Sequence, residues 1–242
     1  MIRTKPDAEE LIHFQNLSAH WWEGQGPFKQ LHAINPFRIA FLKEKVGIHF
    51  GLCEHEVKPL QGLRILDVGC GGGVFCEPLA RLGAEVIGID LIPENIRVAK
   101  RHAEEMGLPL TYLSCAVEDL PQEFPLFDVV IASEVIEHIT DHEGFLETCV
   151  ARLKPHGGMM VTTFNQTLKS YLLGIIAAEY VLRWAPPGTH SWAKFRSPQD
   201  LSRILLSHGF GNQDITGLSY SPVRGWGFSS SIDVNYFLWA GR

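Results

Sequence analysis

Two stretches of this chain carry residue types that could act on a bound small molecule. The first is Asp67-Val68-Gly69-Cys70-Gly71-Gly72-Gly73, where Gly69, Gly71 and Gly73 alternate directly after an apolar run. Glycines so placed let the backbone turn sharply and pass close to a ligand. Asp90 stands 21 residues after Gly69, closing the next apolar run. A carboxylate there can accept hydrogen bonds from both hydroxyls of a ribose. The dinucleotide fingerprint needs a third glycine three residues after its second. Val74 occupies that position, which argues against NAD.

The second stretch is Ser133-Glu134-Val135-Ile136-Glu137-His138. If a helical turn begins here, Glu134, Glu137 and His138 fall at i, i+3 and i+4 and share one face. Two carboxylates and an imidazole so arranged could hold a divalent cation, with Mg²⁺, Mn²⁺ and Zn²⁺ all compatible. Asn165 is a further candidate ligand on the same rim, although asparagine is also a common turn residue at strand ends. The bland alternative for the Glu–His group is packing or capping without metal. In that case His138 is the candidate general base and His190 the second. His190 also reads as a plain loop residue after Pro186-Pro187-Gly188.

These residues need a scaffold. Leu63–Val68, Glu85–Asp90, Leu110–Cys115, Phe127–Ser133 and Met159–Phe164 read as strands. Helices over Val74–Leu82, Pro93–Met106 and Glu143–Leu153 alternate with them. Such alternation implies a parallel, doubly wound sheet with right-handed crossovers and helices on both faces. Asp67, the glycines, Asp90 and the Glu–His group then all lie at its carboxyl edge, where this architecture places ligands. Residues 8 to 50 are helix-compatible, with breaks expected at Gly24-Gln25-Gly26-Pro27 and at Asn35-Pro36. Ser197 is the expected N-cap of a helix over Pro198–His208, and Phe210–Leu218 and Ile232–Trp239 close the set as strands six and seven.

The 242 residues, 45% hydrophobic and 20% charged, suit one soluble domain with a sizeable core. We divide it into an N-terminal helical cap (1–60), a cofactor-binding core (61–165), an apolar insertion (166–195) and the C-terminal part of the core (196–242). The net charge of −6 argues against a nucleic-acid partner. Five cysteines without a C-x-x-C pair suggest free thiols in a reducing compartment. The N-terminus lacks the apolar run of a signal peptide, so a cytoplasmic location is expected.

The D-x-G-x-G-x-G spacing resembles motif I of class I methyltransferases, which implies S-adenosylmethionine (SAM) as cofactor. Seven strands ending in a pair also suit that variant of the Rossmann-like fold, in which the last strand inserts antiparallel. Ala116-Val117-Glu118-Asp119 resembles the segment that borders the adenine. Over roughly Phe14 to Trp239 the chain is similar to the bacterial ubiquinone-biosynthesis O-methyltransferases. The shared residues include Trp21-Trp22, Ile34-Asn35-Pro36-Phe37-Arg38, the E-x-x-E-H stretch, Ala178-Glu179-Tyr180 and Gly188-Thr189-His190. That resemblance implies polyprenyl phenols and quinols as substrates, and cofactor contacts from Arg38, Gly69, Asp90 and Ser133. Family members often carry methionine in place of Ser133, an exchange that a backbone contact survives. Arg38 belongs to a cap over the site in this family, where it could pair in bidentate fashion with the cofactor's carboxylate. The E-x-x-E-H stretch is also similar to that of small-RNA 2′-O-methyltransferases, where it holds Mg²⁺. RNA is thus a rival acceptor, disfavoured by the acidic charge balance. A small metabolite is another rival, and a cofactor-binding scaffold subunit is the non-enzymatic reading.

Between Leu168 and Ala185 the only charges are Lys169, Glu179 and Arg183. The uncharged run Ser170–Ala178 is far shorter than the ~20 residues a membrane span needs. On a helical wheel the three charges fall in one narrow arc, leaving an otherwise apolar helix that packs in a core or lies on something apolar. With a membrane-soluble quinone precursor implied, residues 166–188 are expected to meet lipid, at the inner face of the cytoplasmic membrane. Other enzymes of ubiquinone biosynthesis are the expected protein partners.

Overall fold

The computed structural model describes residues 8–53, 55–167, 170 and 195–242. Eight strands form one sheet in the order β3-β2-β1-β4-β5-β8-β6-β7. They are β1 (Arg64–Val68), β2 (Glu85–Asp90), β3 (Thr111–Ser114), β4 (Phe127–Ser133), β5 (Leu153–Phe164), β6 (Asn212–Ser221), β7 (Gly225–Ser229) and β8 (Asn235–Gly241). The first five run parallel, and β8 lies antiparallel between β5 and β6. The helices are α1 (Ala8–Leu17), α2 (Lys29–Phe50), α3 (Cys76–Arg81), α4 (Pro93–Glu105), α5 (His142–Val150) and α6 (Pro198–Ser207).

Strands buried on both faces must be apolar nearly throughout, and alternation along β1 divides its side chains between two cores. Ile65 packs with Phe41, Leu42, Val46, Leu79 and Ile96 beneath α2, α3 and α4. Leu66 and Val68 pack with Phe145, Leu146, Leu201 and Leu205 beneath α5 and α6. Local signals set the helix ends as expected. Ser197 caps α6 by accepting from the Asp200 N–H at 3.2 Å. Gly107, at φ +63°, ends α4, while Leu108 N donates to Ala103 O at 2.9 Å, the reverse-turn closure of a helix C-terminus.

Three expectations need correction. The sheet has eight strands, not seven, because Gly225–Ser229 forms a hairpin with β6. α2 does not break at Asn35-Pro36 but runs through it. An interior proline costs about 3 kcal/mol, and Ile34, Phe41, Leu42 and Val46, buried along α2, outweigh it at about 1.5–3 kcal/mol each. β5 begins at Leu153 rather than Met159, since the ladder steps from Phe127–Leu153 to Val129–Gly158. Lys154 Nζ secures that step with both Asp128 oxygens at 2.9 Å.

Candidate active site

The β1–α3 loop needs its glycines for both geometry and space. Gly69, Gly71 and Gly73 have φ of +73°, +53° and +84°, the left-handed region that side chains disfavour. A Cβ on Gly71 would lie 2.3 Å from the Trp21 ring. The loop is hung on the end of β2, with Gly69 N and Cys70 N donating to Ile89 O at 2.8 and 3.0 Å. Asp90 is oriented by the same fold-over. Its Oδ2 accepts from Gly71 N at 3.0 Å, and its Oδ1 from Ile92 N at 2.8 Å and Asn95 Nδ2 at 3.2 Å. The carboxylate that could face a ribose is therefore fixed before any ligand arrives.

Asp67 points to the opposite side of β1 from Leu66 and Val68 and is buried beneath the loop, where it accepts from Cys76 Sγ at 3.1 Å. Burial raises its pKa to about 6, against the opposing pull of Cys76 and of Arg38. Arg38 comes from α2 and is only 4% exposed. Burial lowers its pKa from the ordinary guanidinium value, while Glu134 and then Asp67 act the other way. Its Nη1 donates to Ser133 Oγ at 3.0 Å and its Nη2 to Asn35 Oδ1 at 3.0 Å. Ser133 Oγ lies 2.8 Å from Thr162 Oγ1, which donates to Glu134 Oε1 at 2.7 Å. Each hydroxyl accepts one proton and donates one, so a polarised chain links the buried cation to Glu134. Arg38 Nε is buried with no partner among the described residues. An orphaned cationic donor of this kind is costly, and an amino-acid carboxylate would satisfy it. Glycine cradle, strand-end carboxylate and orphaned guanidinium together fit the three polar parts of SAM.

The acidic–histidine stretch is not arranged as its spacing suggests. Only Ile136–His138 forms a short 3-10 turn, and Glu134 lies outside it at φ +55°. Glu134 is still held to β5, its N–H donating to Thr162 O at 2.9 Å. Glu137, 3% exposed, accepts from Thr163 Oγ1 at 2.8 Å. Thr162 and Thr163 are neighbours on β5, so their side chains point to opposite faces of the sheet. Glu134 thus turns to the α2 side and Glu137 to the α5–α6 side. His138 sits against the edge of Phe14, ring centroids 5.2 Å apart. Asn165 Nδ2 donates to Ile232 O at 2.8 Å and serves the strand-end turn. Among the described residues no three His, Cys, Asp or Glu side chains are placed to hold a metal ion. As arranged, these residues do not fit a divalent cation.

Ala116 and Val117 sit in the turn after β3, with the Val117 side chain buried in the α5–α6 core and its carbonyl accepting from Arg152 Nη2 at 3.4 Å. His190 and most of the apolar insertion, residues 168–169 and 171–194, lie outside the described residues. Sequence reasoning missed Asn95, Thr162, Thr163 and Phe14. None of them carried a local signal, and Asn95 lies in the first turn of α4, where asparagine is ordinary.

Residues 41–215 match the family described as Methyltransferase domain. The chain is 46% identical over 241 residues to the ubiquinone biosynthesis O-methyltransferase of Chelativorans sp., covering 99% of this chain and 95% of that one. It is 43% identical to the protein of the same name from Bartonella bacilliformis, covering 99% and 97%. Among solved structures, magnesium protoporphyrin IX methyltransferase from Synechocystis PCC 6803 with bound SAH superposes with a TM-score of 0.66 at 20% identity, over 96% and 94% of the two chains. The sheet order, the loop and the strand-end carboxylate are those of a class I SAM-dependent methyltransferase. Within that class, the chain belongs to the ubiquinone biosynthesis O-methyltransferase family.

Proposed function

We propose that the chain transfers a methyl group from SAM to a hydroxyl of polyprenyl catechols and hydroquinols, namely 2-polyprenyl-6-hydroxyphenol and 3-demethylubiquinol. The observation that carries the site reading is Arg38, a buried guanidinium with an orphaned Nε in the same electrostatic group as Asp67. Arg38 binds the methionine carboxylate, and Asp67 faces the ammonium. Asp90 takes the ribose hydroxyls, and the backbone at Ala116 and Val117 borders the adenine. Gly69, Gly71, Gly73 and Ser133 contribute backbone contacts. The acceptor class is supported by the relatives' shared name and their 43–46% identity.

The acceptor oxygen lies over the β4–β5 ends, near His138. His138 takes the phenolic proton as the oxygen attacks the sulfonium methyl. The C–O bond forms in line with the breaking C–S bond, whose electron pair stays on sulfur and leaves S-adenosylhomocysteine (SAH). Placing the two reactants in line supplies much of the acceleration. His190 is the second candidate base. A Mg²⁺, Mn²⁺ or Zn²⁺ ion held by Glu134, Glu137, His138 and Asn165 would require both carboxylates to leave their threonines.

Among the described residues no helix is long and apolar enough to cross a membrane. Contact of residues 166–188 with the lipid surface would bring the enzyme to its long-tailed substrates and to the other enzymes of ubiquinone biosynthesis. Radiolabelled methyl transfer to a short-chain prenyl catechol tests the activity, and its absence sinks the reading. Deleting residues 166–188 is expected to abolish liposome binding and long-tail turnover while sparing SAH binding. Unchanged liposome binding refutes the lipid role.

A further inference from the structure

We infer that Asn95 is a positioning residue that makes docking of the N-terminal segment and cofactor binding at Asp90 one coupled event. The inference rests on Asp90 holding the ribose. Asn95 is 2% exposed. Its Oδ1 accepts from Ser18 Oγ at 2.6 Å and from Trp21 Nε1 at 2.7 Å. Its Nδ2 donates to Asp90 Oδ1 at 3.2 Å. An indole N–H can only donate, so the amide atom facing Trp21 must be the oxygen. The NH₂ group is thereby forced toward the Asp90 carboxylate. Without the N-terminal donors, only its own bond to that carboxylate holds the amide in this orientation.

The same segment also touches the glycine loop directly. Trp21 lies over Gly71 and Gly72, either of whose Cβ atoms would fall within 2.4 Å of it, and stacks on Phe28 with centroids 3.7 Å apart. Trp22 Nε1 donates to Gly72 O at 2.9 Å. Docking the segment therefore sets the loop from outside and, through Asn95, the carboxylate from within. Coupling of this kind is reciprocal: whatever factor docking adds to cofactor affinity, the cofactor adds to docking.

The test is calorimetric titration with SAH of the wild type, Trp21→Phe, Asn95→Ala and the double variant. Trp21→Phe keeps a ring against the loop and removes the donor, together with the benzo-ring atoms that lie over Gly71. Each single variant is expected to weaken SAH about fivefold, with the double variant falling well short of the roughly 25-fold product of the two. The KM for SAM should rise in step while kcat at saturating SAM stays within about twofold. SAH should slow amide exchange across residues 8–22 in the wild type and slow it less in Asn95→Ala. Single variants that bind as the wild type does, or losses that multiply in the double variant, overturn the coupling. Should Asn95→Ala fail to fold, Trp21→Phe carries the exchange test alone: SAH should protect residues 8–22 less than in the wild type, and equal protection overturns the coupling. Failure of the wild type itself to bind SAH would sink the cofactor reading instead.

Discussion

The two halves of the carboxyl edge are built on different principles. At the ends of β1 and β2 the backbone does the holding. Glycines supply left-handed turns, strand ends supply position, and Asp90 is clamped by two main-chain N–H groups. At the ends of β4 and β5 side chains do the holding. Glu134 leaves the ladder in the left-handed region, and two threonines draw the two glutamates to opposite faces. A non-glycine residue at such a φ costs of order 1–3 kcal/mol, and Thr162 offsets it by holding Glu134 at both its N–H and its carboxylate. A site made by the backbone is specified by spacing. One made by side chains depends on partners far away in sequence.

If chemistry belongs to the β4–β5 half and affinity to the β1–β2 half, substitutions should separate the two. The largest effect is expected from His138→Ala, about 10²–10⁴-fold in kcat as for loss of a general base, with SAH affinity nearly intact. Equal losses in kcat and affinity would erase the division. Gly71→Ala should do the converse, since strain and the clash with Trp21 together forfeit on the order of 100-fold in SAH affinity. Titration calorimetry reads both.

The pH dependence of binding sharpens the comparison further. Asp67, raised by burial to about 6, is largely protonated at pH 5 and ionised at pH 7.5. Its charge costs the unliganded fold stability that is present below the unfolded carboxylate range and is lost as pH rises through 6. The cofactor's ammonium rewards the ionised form, so SAM affinity should fall about tenfold from pH 7.5 to pH 5. Asp67→Asn should flatten that profile. A slope that survives the substitution would assign it to another group. The smallest effect is expected from the two glutamates. Glu134→Gln should raise the KM for SAM a few-fold through its link to Arg38, whereas Glu137→Gln should lower the melting temperature and leave that KM alone. Matching losses in both variants, mimicked by chelator treatment of the wild type, would instead show an ion bridging them.

The contrast explains what could be read from the sequence. β2 and β4 keep their expected bounds, and α4 and α6 come within a residue, because apolar periodicity, an N-terminal proline and a glycine or serine cap agree at each. The glycine loop and Asp90 were legible for the same reason. Pro36 misled because burial along α2 outweighs a local penalty that sequence displays plainly. The β6–β7 hairpin went unread although Ser221-Pro222-Val223-Arg224-Gly225 carries its signal, a three-residue loop followed by a left-handed glycine. The spacing of Glu134, Glu137 and His138 misled because it presumes a helix, and nothing local announces that Thr162 and Thr163 will hold the glutamates apart. Asn95 was illegible as well, since its partners Ser18 and Trp21 lie more than 70 residues upstream.

The antiparallel strand β8 has a consequence for how the molecule is made. It is synthesised after β6 and β7 yet lies between β5 and β6, pairing with both. Until it emerges from the ribosome, the β6–β7 hairpin has no neighbour in the sheet and β5 presents an open edge of unpaired amides. Such edges are the ones nascent chains lose to aggregation. The half that binds the cofactor can assemble early on β1 to β4, and the sheet closes late, around a single strand.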